Sequence, residues 1–303
     1  MKTIFLKFDD QINEQNLVLS LGFFDGMHLA HQTLLNQALD ISHQTGKKSA
    51  LMTFSTHVLS FIKNQKFLHL TNLDEKIKKA ETMGFDYFYV FEVTPDLVSL
   101  PPELFISRFL KCADTVVVGF DFTFGSRGKG NVDLLKASPQ FQTIVLEEMS
   151  YDQQKIGSSR IRDALAEGDI DLANHMLGYR YTISGQVIKG KGRGKYLSFP
   201  TANIDFDGYL LPKTGVYATL ITVDGIEYDS MTNIGDNPTF SDSKVSMEVN
   251  ILKFKSQIYG KTVHVAFEKY LRAEIKYATA AELIQRMHLD EEETIKTFKK
   301  MRS

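Results

Sequence analysis

Four short apolar and β-branched runs set the architecture of the first half of the chain: Leu17-Val18-Leu19-Ser20-Leu21, Ser49-Ala50-Leu51-Met52-Thr53-Phe54, Tyr87-Phe88-Tyr89-Val90-Phe91 and Thr115-Val116-Val117-Val118. Runs without in-and-out alternation suit strands buried on both faces, the condition of a parallel sheet covered by helices. Amphipathic segments lie between them. Leu34, Leu35, Ala38, Leu39 and Ser42 form a helical stripe, and Asn72-Leu73-Asp74-Glu75 opens, like a capping box, a helix that reaches Gly84. The pattern predicts a doubly wound α/β domain.

After about Tyr181 the texture changes to alternating stretches broken by Gly, Asp and Asn. Tyr217 to Val223, an Asp224-Gly225 pair and Ile226-Glu227-Tyr228 read as a hairpin, and Ser246 to Phe254 and Lys261 to Tyr270 are also strand-like. This half predicts a small antiparallel barrel closed by helices from Thr279 onward. Gly178, after Ala173, Met176 and Leu177, suits a helix C-cap, so the boundary is expected at 178–183. A chain of 303 residues accommodates two such cores.

Composition excludes several classes. A net charge of -2 and a pI near 6.5 give no basic field for nucleic-acid phosphates. One cysteine, Cys112, cannot form an internal disulfide and reads as a buried thiol, and no Cys/His spacing suggests zinc. The absence of a signal-like start or long apolar run leads to the expectation of a soluble, cytoplasmic protein without a membrane partner. Oligomeric state stays open.

Two segments carry phosphate chemistry. Leu21-Gly22-Phe23-Phe24-Asp25-Gly26-Met27-His28-Leu29-Ala30-His31 leaves a strand, turns through two glycines and enters a helix with two histidines in its first turn. Free N–H groups and the dipole at such a terminus attract phosphate, and a spacing of three puts both rings on one face. Taken alone, the pair also reads as a capping ring and a surface ring. In the second half, Gly190-Lys191-Gly192-Arg193-Gly194-Lys195 interleaves glycines with cations, suiting a loop that folds over phosphates, and Phe199-Pro200-Thr201-Ala202-Asn203 follows.

With these motifs the chain resembles the bacterial bifunctional riboflavin kinase/FMN adenylyltransferase (FAD synthetase) family. Further matches are Val118-Gly119-Phe120-Asp121-Phe122-Thr123-Phe124-Gly125, Ile156-Gly157-Ser158-Ser159-Arg160-Ile161-Arg162, Ser246-Met247-Glu248-Val249-Asn250, Asn233 to Phe240 and Tyr270-Leu271-Arg272. The resemblance implies a Rossmann-like nucleotidyltransferase domain over 1–180 and a flavokinase-type barrel domain with C-terminal helices over 181–303. The first would adenylylate FMN to FAD; the second would phosphorylate riboflavin with ATP and Mg²⁺.

On this resemblance His28 and His31 stabilise the adenylyl-transfer transition state. Gly22, Phe23, Asp25, Gly26, Ser158, Ser159 and Arg162 hold ATP phosphates, and Asp121, Phe122 and Phe124 face the flavin. In the kinase half Glu248 is the general base, Thr201 and Asn203 hold Mg²⁺, and Gly190, Gly192, Gly194 and Lys195 cover ATP. Asn237, Thr239 and Arg272 meet the flavin there. The residues alone leave Ser158 as an ordinary helix cap, Glu248 as a solvated strand carboxylate and Arg272 as a strand-end ion pair.

The chain departs from the family pattern at Ala30 (glycine), Phe54-Ser55-Thr56-His57 (acidic-Pro-His), Asn131 (aspartate), Gly157 and Ser198, and at Lys195 (arginine). Asn250 and Lys253 replace histidine and aspartate after Glu248. Two alternatives therefore accompany the bifunctional reading: kinase activity alone with an inactive first domain, or a non-catalytic flavin or nucleotide sensor.

Overall fold

The computed structural model describes residues 1–190, 199–236 and 245–302. By contacts the chain divides into two compact units, Met1–Ser158 and Ser159–Ser303.

In the first unit six parallel strands form one sheet: β1 (Lys2–Leu6), β2 (Leu17–Leu21), β3 (Ser49–Phe54), β4 (Tyr87–Phe91), β5 (Ala113–Gly119) and β6 (Gln142–Leu146), in the order β1-β4-β3-β2-β5-β6. Helices α1 (Leu29–Thr45), α2 (Val58–Ile62), α3 (Leu73–Met83), α4 (Pro95–Ser99), α5 (Pro102–Phe105) and α6 (Val132–Lys136) connect them. Both sheet faces are buried, as the unalternating runs required. Leu17, Leu19, Leu21, Met52, Tyr89, Phe91, Val116 and Val118 meet Phe105 and Phe109 on one side. Val18, Leu51, Phe88, Val90 and Val117 meet Leu34, Leu35 and Ala38 of α1 on the other.

Asn72 caps α3, its Oδ1 accepting from Glu75 N at 2.8 Å, and Gly84 ends that helix in the left-handed region. A short hairpin, β7 (Ser150–Tyr151) and β8 (Gln154–Lys155), follows the sheet. Cys112 is buried, and burial pushes its thiol up to about 11, keeping it an inert apolar filler at neutral pH.

Helix α7 (Ser158–Glu167) starts at the last residue of the first unit and opens the second, where α8 (Ile170–Leu177) follows, ended by Gly178 in the left-handed region. Both pack on the barrel: Lys213 N donates to Leu165 O at 2.9 Å and Asn174 Nδ2 to Phe267 O at 2.9 Å. The barrel consists of β9 (Thr182–Ile188), β10 (Ala202–Asp205), β11 (Gly215–Val223), β12 (Ile226–Asp236), β13 (Val245–Ile251) and β14 (Thr262–Arg272). It closes in the order β10-β13-β12-β11-β14-β9 with every pairing antiparallel. Asp224 and Gly225 both take positive φ, the two-residue hairpin turn whose twist matches the flanking strands.

One 23-residue helix, α9 (Ala280–Arg302), stands where the sequence suggested helices in the plural. Its Phe298 covers Ala218 and Leu220, and its Ile284, Met287 and Ile295 pack against Phe199, Met231 and Leu252. The alternate strand positions are buried on the opposite side. Among them Thr219 Oγ1 lies 2.8 Å from Ser230 Oγ and 2.7 Å from Thr232 Oγ1, a fully buried group of hydroxyls. Among the described residues no helix is long and apolar enough to cross a membrane.

Candidate active sites

In the first unit the site grows from the C-terminal end of β2, the central strand from which the chain winds outward both ways; such a switch point is where open α/β sheets bind ligands. Gly22 is required by Phe24, whose Cζ would lie 2.8 Å from a Cβ at that position. The turn then passes through Phe24 and Gly26 at positive φ. Three contacts hold it. The buried Asp25 accepts from Leu70 N at 2.9 Å and Thr71 N at 3.3 Å. Buried Lys76 donates to Phe23 O at 2.8 Å, and its ammonium stands 4.0 Å from the Phe23 ring centre. Thr53 Oγ1 donates to the same carbonyl at 3.1 Å.

His28 proves to be the N-cap of α1, one residue before the helix, so only His31 lies within the first turn expected for both. His28 Nδ1 accepts from His31 N at 3.4 Å, which assigns the proton of the neutral ring to Nε2. The rings stack 3.7 Å apart and 18° from parallel. Burial lowers His28 to about 4, with Asp25 opposing and Lys155 reinforcing the shift. His31 is held well below its ordinary value, first by burial, then by His28 and the lysines Lys76 and Lys155. Two neutral rings thus offer N–H groups beside a helix N-terminus, and His31 Nδ1 is buried with no protein partner among the described residues. Ala30 sits in ordinary α-helical backbone, which a methyl group does not disturb.

Ser158, the last residue of the first unit, donates through Oγ to Asp25 O at 2.8 Å. Ser159 and Arg162 occupy the first turns of α7, Ser159 exposed and Arg162 half-buried. Asp121 forms an ion pair with Lys155, whose ammonium lies 4.8 Å from the Phe120 ring centre. Asp121 and Phe122 line a cavity of about 350 Å³ together with Phe120, Thr123, Asn131 and Val132. Phe124 does not line it; that ring is buried in the core against Phe105. Lys76 and Lys155 escaped the sequence reading. A lone helical lysine and a lone hairpin lysine look solvated, and only the fold brings them to this turn.

In the second unit Thr201, Asn203 and Glu248 come together. Asn203 faces Glu248 across β10 and β13, and Thr201 Oγ1 donates to Glu248 Oε2 at 3.1 Å. Asn203 is buried, and Gly190 packs so closely on it that a Cβ there would overlap its amide. On the other side of Glu248 stands Asn233 of β12. Arg272 is paired with buried Asp290 of α9, Nε to Oδ1 at 2.9 Å and Nη2 to Oδ2 at 2.6 Å. That is the strand-end ion pair foreseen as its other role. Gly192, Gly194, Lys195, Asn237 and Thr239 lie outside the described residues.

Comparisons agree with this division of chemistry. A family model described as FAD synthetase matches residues 10–160, and one described as riboflavin kinase matches residues 177–298. The bifunctional riboflavin kinase/FMN adenylyltransferase of Listeria monocytogenes is 39% identical over 99% of both chains, and that of Bacillus subtilis 36% over 100% of both. A crystal structure from Streptococcus pneumoniae, named a macrolide-efflux protein, matches with a TM-score of 0.87 at 30% identity, covering 97% of this chain and 99% of that one. With a matched domain for each activity and full-length relatives that carry both, the chain belongs to the bifunctional riboflavin kinase/FMN adenylyltransferase family.

Proposed function

We propose that the family's two reactions, riboflavin to FMN and FMN to FAD, are run by two separate sets of residues, adenylylation within 1–180 and phosphorylation within 181–303. In the first, an FMN phosphate oxygen attacks the α-phosphorus of ATP, and the bond to pyrophosphate breaks. No protein nucleophile is needed; the demands are alignment and stabilisation of charge on phosphorus. His28 and His31 supply neutral N–H donors that keep their protons, and the α1 N-terminus supplies further donors. Gly22, Phe23, Asp25 and Gly26 shape the turn. Ser158, Ser159 and Arg162 engage the triphosphate, and Lys155 adds a cation. The cavity beside Asp121 and Phe122 is of a size that accepts a flavin ring, and these residues line it.

In the second reaction Glu248 accepts the proton of the ribityl 5′-hydroxyl as that oxygen attacks the γ-phosphorus of ATP and ADP leaves. Thr201 and Asn203 would hold Mg²⁺. The fit rests on the chemistry of the donors: a hydroxyl and an amide oxygen beside a carboxylate, under a glycine whose missing Cβ leaves the cradle open. The chemistry a bound Mg²⁺ supplies is neutralisation of phosphate charge. Gly190, Gly192, Gly194 and Lys195 are proposed to cover the nucleotide, with Asn237, Thr239 and Arg272 near the flavin. A cytoplasmic location belongs to the same proposal.

The Thr201–Glu248 hydrogen bond beside Asn203 carries the kinase assignment. Chromatography of products from riboflavin, ATP and Mg²⁺, and then from FMN, tests the whole. Both FMN and FAD are expected. FMN alone would mean that the altered first-unit motifs have lost adenylylation, and no product would leave a flavin sensor.

A further inference from the structure

Asn250 follows Glu248 by two residues on β13 and therefore shares its face. It is only 7% exposed, and its Nδ2 donates to Pro200 O at 2.8 Å. The next residue, Thr201, sends its hydroxyl to Glu248 Oε2 at 3.1 Å. Alternate residues of one strand thus grip two successive residues of the facing segment.

The backbone explains why a side chain is needed there. The ladder between β10 and β13 begins at Ala202 opposite Val249, and the same register would carry Thr201 opposite Asn250. Proline has no N–H, so the ladder cannot run on through Pro200, whose carbonyl is its one hydrogen-bonding group. Asn250 takes up that carbonyl and so orients the peptide plane from which Thr201 departs.

We propose that Asn250 is a positioning residue for riboflavin phosphorylation: its amide anchors the Pro200 carbonyl and thereby aims the Thr201 hydroxyl at Glu248 and at the phosphate end of ATP. The inference rests on the reading of Thr201 and Glu248 given above. Residues that orient metal-holding groups typically contribute ten- to a hundredfold in activity or metal affinity.

The test uses the full-length protein. Asn250→Leu keeps approximate volume and removes the N–H; Asn250→His restores an N–H donor. Asn250→Leu is expected to lower kcat for FMN formation and to raise the half-saturating Mg²⁺ concentration, each by about tenfold. KM for riboflavin, and FAD formation from supplied FMN, should stay as in the parent. Hydrogen–deuterium exchange over residues 199–205 should quicken in Asn250→Leu, a readout independent of turnover, and Asn250→His should recover most of the lost kcat. Parental kcat and Mg²⁺ dependence in Asn250→Leu would overturn the inference, as would equal loss of both activities, the mark of a general packing role. Thr201→Ala, run in parallel, separates the two layers. If it is impaired while Asn250→Leu is not, this inference alone fails; if it too is unaffected, the kinase-site assignment fails.

Discussion

The imidazoles of His28 and His31 lie face to face at 3.7 Å, and the ring nitrogen of the first accepts the backbone N–H of the second. One contact is therefore both helix cap and part of the proposed phosphate site. Because burial holds His28 at about 4 against an ordinary 6.5, the folded chain refuses a proton that the unfolded chain accepts. Stability should be full above pH 6.5 and fall as the pH drops towards 4, by about 3 kcal/mol for this group. His28→Asn replaces the capping ring nitrogen with an N-cap oxygen and removes the titration. Calorimetric unfolding across that range should show a shallower decline in the variant, and an identical decline would refute the assignment.

Asp25 tests what holds the turn. Asp25→Ala would leave the buried N–H groups of Leu70 and Thr71 without their acceptor, at a cost of about 3 kcal/mol. Denaturant unfolding should register the loss, and FAD formation from FMN should fall while FMN formation persists. A variant as stable as the parent would mean that water replaces the carboxylate.

Gly190 tests the kinase cradle. In Gly190→Ala the new methyl overlaps the Asn203 amide and displaces it from its place beside Glu248. Misplacement on that scale costs on the order of a hundredfold in rate. FMN formation should drop accordingly, with adenylylation of supplied FMN intact. Undiminished FMN formation would remove Asn203 from the site.

Asp290 tests the attachment of α9. Its carboxylate, 3% exposed, takes Arg272 and also Arg286 Nε at 2.9 Å. Asp290→Ala strands two guanidinium groups in a largely enclosed place, so it should destabilise the second unit by about 3 kcal/mol, read as a lower denaturant midpoint. No change in midpoint would show that the ion pair contributes nothing net.

Much of the fold was legible because its signals are local. The strand runs, the Asn72 cap, the glycines ending α3 and α8, and the Asp224-Gly225 turn each depend on a few consecutive residues. The candidate site was legible only where motif and geometry coincide, as in the neighbouring Thr201, Asn203 and Glu248. Lys76, 53 residues from the carbonyl it holds, and Asp290 as the partner of Arg272 were out of reach. Their partners are chosen by packing and register, which leave no mark on the neighbouring sequence. His28 fell outside the helix for a related reason: an imidazole is not among the usual cap residues, so the helix start could not be read from it.

The three buried hydroxyls of Thr219, Ser230 and Thr232 bear on this last point. An in-and-out pattern has a period of two, so a strand slipped by two residues keeps its apolar residues inside and is not penalised by burial alone. A slip of β12 against β11 that set Tyr228 opposite Thr219 would, however, part Thr219 from Thr232 and leave the hydroxyls of Thr219 and Ser230 opposite tyrosine rings. The group thus works as a key against slippage in that direction. Since β12 in turn pairs Asn233 with Glu248, a matching of buried hydroxyl groups bears on which side chains stand beside that carboxylate.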